Sequence, residues 1–184
     1  MIKSKKTISK LKKWKIKSRE VVFEKFGRKF EKVIVEMPNA KSADFFIRNE
    51  PNWINIVALT KDKKVILSKQ YRVGPDAIMR ELPGGGIEKG ETPMQSAQRE
   101  LLEETGYKGK MKFVVKGSAN PYGTMQRYCF VATDCEKVQE PTPDEFEFIE
   151  VELVSLPAFR KILRNSELTD VDIAYLGLDY LGLL

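Results

Sequence analysis

The sequence predicts an α+β protein: a mixed β-sheet sandwiched between helices, with an antiparallel β-hairpin region at the N-terminus. Three observations carry this. Strand-like segments outnumber helical ones, most neighbouring strands read as hairpins, and one amphipathic helix sits mid-chain instead of one after every strand. At 184 residues, 42% of them hydrophobic, the chain can bury the core of one globular domain with a small appendage.

From Arg19, β-branched and aromatic residues alternate with polar ones. REVVFEKFGRKFEKVIVEMP reads as a hairpin turning near Gly27. DFFIRN and WINIVALT follow as short strands. KDKK turns the chain, with Asp62 at its tip, into the strand VILSKQYR. MRELPGGG is a strand running into a glycine turn, where Gly84, Gly85 and Gly86 permit backbone angles that other residues resist.

A helix is expected from Thr92. Thr92 can be its N-cap, Pro93 suits the first helical position, and Gln95 completes a capping box. Met94, Ala97, Leu101 and Thr105 recur at helical spacing and mark the core side. Gly106 ends the helix as a C-terminal cap. Strands are expected at about 111–117, 127–133 and 146–153, then a helix near Ser155 and a last one near Asp170. The expected division is a basic extension at 1–18, an N-terminal β-region for dimerisation at 19–52, and the main domain at 53–184.

Composition narrows the chemistry. The chain has no histidine, which removes the commonest general base, the commonest zinc ligand and every histidine-based triad. Catalysis must rest on carboxylates, lysine, tyrosine or a metal. The two cysteines, Cys129 and Cys135, are too few for a disulfide scaffold and have no metal-type spacing. No apolar run has the length of a membrane span, and the basic N-terminus lacks the apolar segment of a signal peptide. A cytoplasmic protein is expected. Net charge is +6, and the first nineteen residues hold nine Lys or Arg and no acid. Such a run is a solvated tail or a patch for a polyanion such as nucleic acid.

On the mid-chain helix, Glu100, Glu103 and Glu104 lie within about a quarter turn of one another. Like charges at these spacings cost a few tenths of a kcal/mol per pair, about 0.2–0.5, and more near a core edge. A hard divalent cation such as Mg²⁺ or Mn²⁺ reverses that balance, because it prefers carboxylate oxygens.

The spacing extends the pattern. After Gly85 come five residues, then Glu91, seven more, and then Arg99-Glu100-Leu101-x-Glu103-Glu104-x-Gly106-Tyr107. This resembles the Nudix box of the Nudix hydrolase family at every defining position. Flanking segments, NIVALTKDKKVILSKQYR and MRELPGGGIEKGE, resemble the ADP-ribose pyrophosphatase group of NDP-sugar pyrophosphatases. That group usually has Leu-Pro-Ala-Gly before the box, where this chain has Leu82-Pro83-Gly84-Gly85.

The resemblance implies a Nudix fold and a Mg²⁺-dependent (or Mn²⁺-dependent) hydrolase of a nucleoside diphosphate sugar. ADP-ribose is the first expectation, giving AMP and ribose 5-phosphate. It implies metal ligation by Glu100, Glu103, Glu104 and the Gly84 carbonyl, with Glu103 and Glu104 foremost. It implies a bracing ion pair between Glu91 and Arg99 beside Gly85. The catalytic base is expected in the late acidic loop, at Glu145 or Glu147. Arg72 and Arg80 are expected to hold phosphates, with Glu81 assisting. Tyr122 and Met125 fall on an expected substrate-gating loop. A homodimer is expected. Rival expectations are another NDP-sugar such as GDP-mannose, a nucleoside triphosphate, capped RNA (which the basic tail favours), or a non-catalytic nucleotide-sugar sensor.

Overall fold

The structure, a computed structural model, describes residues 11–184. They form two compact units. One comprises the described residues up to Glu50 together with Asn120–Thr124; the other comprises Pro51–Ala119 and Met125–Leu184.

The first unit is a three-stranded antiparallel sheet of β1 (Lys15–Lys25), β2 (Arg28–Glu36) and β3 (Ser42–Asn49). β1 begins four residues before Arg19, inside the segment read as a basic extension. β2 runs on to Glu36, so the ladder extends back to the pair Lys15–Glu36, and opposite charges meet across it at Lys17 and Glu36 and at Arg19 and Glu31. The part of the extension before Leu11 lies outside the described residues. Phe26 and Gly27 both take positive φ, 50° and 70°, as a two-residue hairpin turn demands. In the same unit Gly123 bridges to Arg48, and Tyr122 stacks on Phe45 with ring centroids 6.4 Å apart. The loop expected to gate substrate is thus anchored here at Tyr122.

The second unit contains β4 (Trp53–Thr60), β5 (Lys64–Arg72), β6 (Ala77–Glu81), α1 (Pro93–Thr105), β7 (Tyr107–Ser118), β8 (Gln126–Lys137), β9 (Glu150–Ser155), α2 (Leu156–Arg164) and α3 (Val171–Tyr180). The sheet order is β6-β5-β4-β8-β7, with β9 paired to β5. β4 and β8 run parallel and the other pairs antiparallel, so the sheet is mixed.

Alternation along each strand sorts the core onto two faces. Ile54, Ile56, Ala58, Ile66 and Phe130 pack with Ala97 and Leu101 of α1. Val57, Leu59, Val65 and Leu67 pack with Phe159, Ile162 and Leu163 of α2 and Leu178 of α3. Cys129 and Cys135 are buried free thiols, one in each cluster.

The ends of α1 are built as the sequence suggests. The Thr92 hydroxyl accepts from the Gln95 N–H, and the Gln95 side chain accepts from the Thr92 N–H at 2.9 Å. Gly106 closes the helix at φ 75°, donating to the Leu102 carbonyl at 2.8 Å. β9 differs from expectation: it starts at Glu150, not at residue 146. Its ladder with β5 ends at the pair Lys69–Glu150, and Phe146 and Phe148 stand exposed in the preceding loop. Alternating hydrophobicity continues through that loop, but without a strand partner it builds no sheet. Among the described residues no helix is long and apolar enough to cross a membrane.

Phe159 is fully buried beneath the sheet. Phe159→Ala is expected to lower unfolding free energy by about 3–5 kcal/mol, read from a urea melt with an unchanged slope.

Candidate active site

The loop from Pro83 to Gly86 runs beside β4. Ile54 and Ile56 donate to the carbonyls of Gly85 and Pro83, both at 2.9 Å. Successive residues of an extended segment face opposite edges. The Gly84 N–H therefore points away from β4 and donates to Glu104 Oε2 at 3.2 Å. The glycines here answer to space, not to unusual angles: none of the three has positive φ. A Cβ at Gly84 would collide with the Ile54 carbonyl, and one at Gly85 with the Glu100 carboxylate. Gly86 has open space around it.

Arg99 organises the acidic face. Its Nε and Nη2 grip Glu91 at 2.9 and 3.1 Å, and Nη2 also reaches the Gly86 carbonyl at 3.2 Å. Nη1 donates to Glu100 Oε1 at 2.9 Å and Glu103 Oε2 at 3.0 Å. A guanidinium has five N–H donors, and these five bonds engage them all. Glu91 takes two further donors, the Ser96 hydroxyl at 2.6 Å and the Glu88 N–H at 3.3 Å. These donors, Arg99 first, pull the Glu91 carboxyl down to about 2.

Glu100 and Glu103 converge on one Arg99 nitrogen, Nη1. Glu100 and Glu104 are buried, one helical turn apart, while Glu103 stays on the outer flank. Glu104 Oε2 is held by the Ser68 hydroxyl at 2.9 Å as well as by Gly84. The positive group between Glu100 and Glu103 is Arg99. Among the described residues no three acidic, cysteine or histidine side chains stand arranged around a metal position.

The donor set nevertheless fits a hard divalent cation. Burial pushes Glu100 up to about 7, against the pull of Arg99, and Glu104 up to about 8, against the Ser68 hydroxyl. Among the described residues Glu104 accepts only from the neutral Ser68 hydroxyl and Gly84 N–H, so its desolvated carboxylate resists ionisation without a bound counter-charge, whereas Glu100 has Arg99. The Gly84 carbonyl, off the β4 ladder, lies on the same loop.

The pleat separates the other expected residues. On the α1 face of β5, the Arg72 guanidinium grips Glu81 at 2.8 and 2.5 Å, and Gln70 donates to Glu81 at 3.3 Å. The charge of Glu147 acts on Glu100, Glu104 and Arg72, whereas Glu145 is exposed on the turn beside it. Arg80 lies elsewhere. It is bound to Glu152 at 2.7 Å and to Glu167 at 3.5 Å. It pairs across the ladder with Lys69, one residue out of phase with Ser68 and Gln70, which puts it on the α2–α3 face. Arg72 and Arg80 therefore do not share a site. Ser68 and Gln70 escaped sequence reading. Their signal is Ser-x-Gln-x-Arg at period two, a polar row in an apolar strand.

The model of the NUDIX domain matches residues 51–170. The chain belongs to the NUDIX domain family. The ADP-ribose pyrophosphatase of Bacillus subtilis is 34% identical over 152 residues, covering 81% of this chain and 82% of that protein. The methanol dehydrogenase activator of Bacillus methanolicus is 29% identical over 139 residues, covering 74% and 75%. The crystal structure of an ADP compounds hydrolase superposes with a TM-score of 0.81 over 96% of this chain and 100% of that one, at 24% identity. At that identity the likeness speaks for the NUDIX fold alone.

The buried glutamates set a pH dependence of stability. Their unfolded pKa is 4.5, so between that value and about 8 the native state holds more protons than the unfolded state. Stability then falls as pH rises through this window. Glu91 acts in the opposite sense, but only below 4.5. In chelator, Tm should drop by at least about 5 °C from pH 5 to pH 8.5. Millimolar Mg²⁺ should reverse the drop. Calorimetry at both pH values checks this.

Proposed function

We propose that this NUDIX chain is a pyrophosphohydrolase of nucleoside diphosphate sugars, splitting ADP-ribose to AMP and ribose 5-phosphate. The observation that carries it is the desolvated pair Glu100 and Glu104 beside the Gly84 loop, in a chain similar to an ADP-ribose pyrophosphatase along most of both lengths.

Glu100, Glu103, Glu104 and the Gly84 carbonyl would hold Mg²⁺ or Mn²⁺. Such an ion neutralises phosphate oxygens and lowers the pKa of its bound water. Glu91 and Arg99 brace the loop against α1. Arg72, on the same face, orients the diphosphate by exchanging its bidentate pairing with Glu81 for phosphate oxygens. Glu147 is the base that accepts a proton from attacking water, because its charge reaches the glutamates and no histidine exists to do it.

The molecule would work as a homodimer in the cytoplasm. β1 is exposed along its length, and Phe23, Phe30, Ile34 and Phe46 expose apolar surface on its sheet. Capped RNA is the rival substrate, favoured by the cationic first nineteen residues.

A hydrolysis screen in Mg²⁺ over ADP-ribose, GDP-mannose, UDP-glucose, nucleoside triphosphates and capped RNA should show ADP-ribose with the highest kcat/KM. Preference for capped RNA, falling steeply with salt, would select the rival. Glu104→Gln should lower turnover about a hundredfold or more, since metal stabilisation of the transition state is worth several kcal/mol. Sedimentation at micromolar concentration should give a dimer; a monomer would remove that part.

A further inference from the structure

Ser68 is fully buried on the α1 face of β5, directly after the apolar run Val65, Ile66 and Leu67. Its same-face predecessor, Ile66, packs into the α1 core. A hydroxyl at such a depth is costly unless it finds an acceptor. The acceptor is Glu104 Oε2, on a helix 36 residues further along the chain, at 2.9 Å.

The same oxygen accepts the Gly84 N–H at 3.2 Å. A carboxylate oxygen has two lone-pair directions. Two protein donors fill both on Oε2, and the other oxygen, Oε1, is the one left with its lone pairs available. We propose that Ser68 is a positioning residue: with the Gly84 N–H it fixes Oε2 of Glu104 and so presents Oε1 alone to a divalent cation. This rests on the reading of Glu104 as a cation ligand.

Hydroxyl donors behind a ligand restrict its rotation, and their loss commonly weakens metal affinity 10–100-fold. Without Ser68, Glu104 keeps one donor and gains freedom to swing. The binding contribution lost is that of orientation, so added cation should compensate while substrate recognition stays intact.

The test is Mn²⁺ binding to the substrate-free enzyme by calorimetry, on Ser68→Ala, Ser68→Cys and Glu104→Gln, with thermal melts for each. The cysteine variant is close to isosteric and a poor donor, so it separates the hydrogen bond from any cavity and decides the matter if the alanine variant does not melt cooperatively. Both Ser68 variants should raise the Kd for Mn²⁺ about tenfold or more. Their kcat should recover towards wild type as Mn²⁺ is raised, with KM for ADP-ribose at saturating Mn²⁺ unchanged. If Glu104→Gln loses Mn²⁺ binding while the folded Ser68 variants bind within about twofold of wild type, the positioning role is overturned and the ligand reading stands. If Glu104→Gln binds Mn²⁺ normally, the ligand reading falls and this proposal with it.

Discussion

The geometry of the acidic face depends on one guanidinium. Arg99 joins Glu91 and the Gly86 carbonyl in the loop to Glu100 and Glu103 on α1. Each bond is charge-assisted or directed at a carbonyl, and the planar fork fixes all of them at once. A lysine offers a point charge in place of this fork and cannot span loop and helix together. Loss of Arg99 would leave Glu91, Glu100 and Glu103 facing one another without compensation, a far larger penalty than loss of a surface pair.

The glycine loop is fitted to this clamp. Gly84 lies against the β4 backbone and Gly85 against the Glu100 carboxylate, so neither tolerates a Cβ as placed. This backbone proximity lets Glu104 reach the Gly84 N–H at 3.2 Å. Compactness and charge are therefore coupled. The closer the loop packs, the drier the glutamates become, and the more strongly burial opposes their ionisation.

β5 carries the contrast that makes this a site. Its α2–α3 face is apolar core at Val65 and Leu67, while its α1 face passes from Ile66 to Ser68, Gln70 and Arg72. Each polar group on that row has a carboxylate partner, Glu104 or Glu81. The pleat that builds the row also sends Arg80 to the other face, where Glu152 and Glu167 occupy it.

Local chemistry was legible in the sequence because local rules govern it. The capping box at Thr92, the stop at Gly106 and the turn at Gly27 follow from residue type and spacing over a few positions, while the bond between Glu91 and Arg99 is what the resemblance to the Nudix box implies. Strand faces are half legible: alternation locates β5 but not which residues of its neighbours share a face, and only the register Lys69–Arg80 separates Arg80 from Arg72. The start of β9 was misplaced because alternating side chains cannot supply the β5 edge that ends at Lys69. Glutamate spacing announced an acidic helix flank. Only the tertiary structure decided that Glu104 would be dry, that Ser68 would hold it, and that Arg99 would stand between the other two. Burial and distance arise from segments far apart in the chain, and residue spacing within one segment does not contain them.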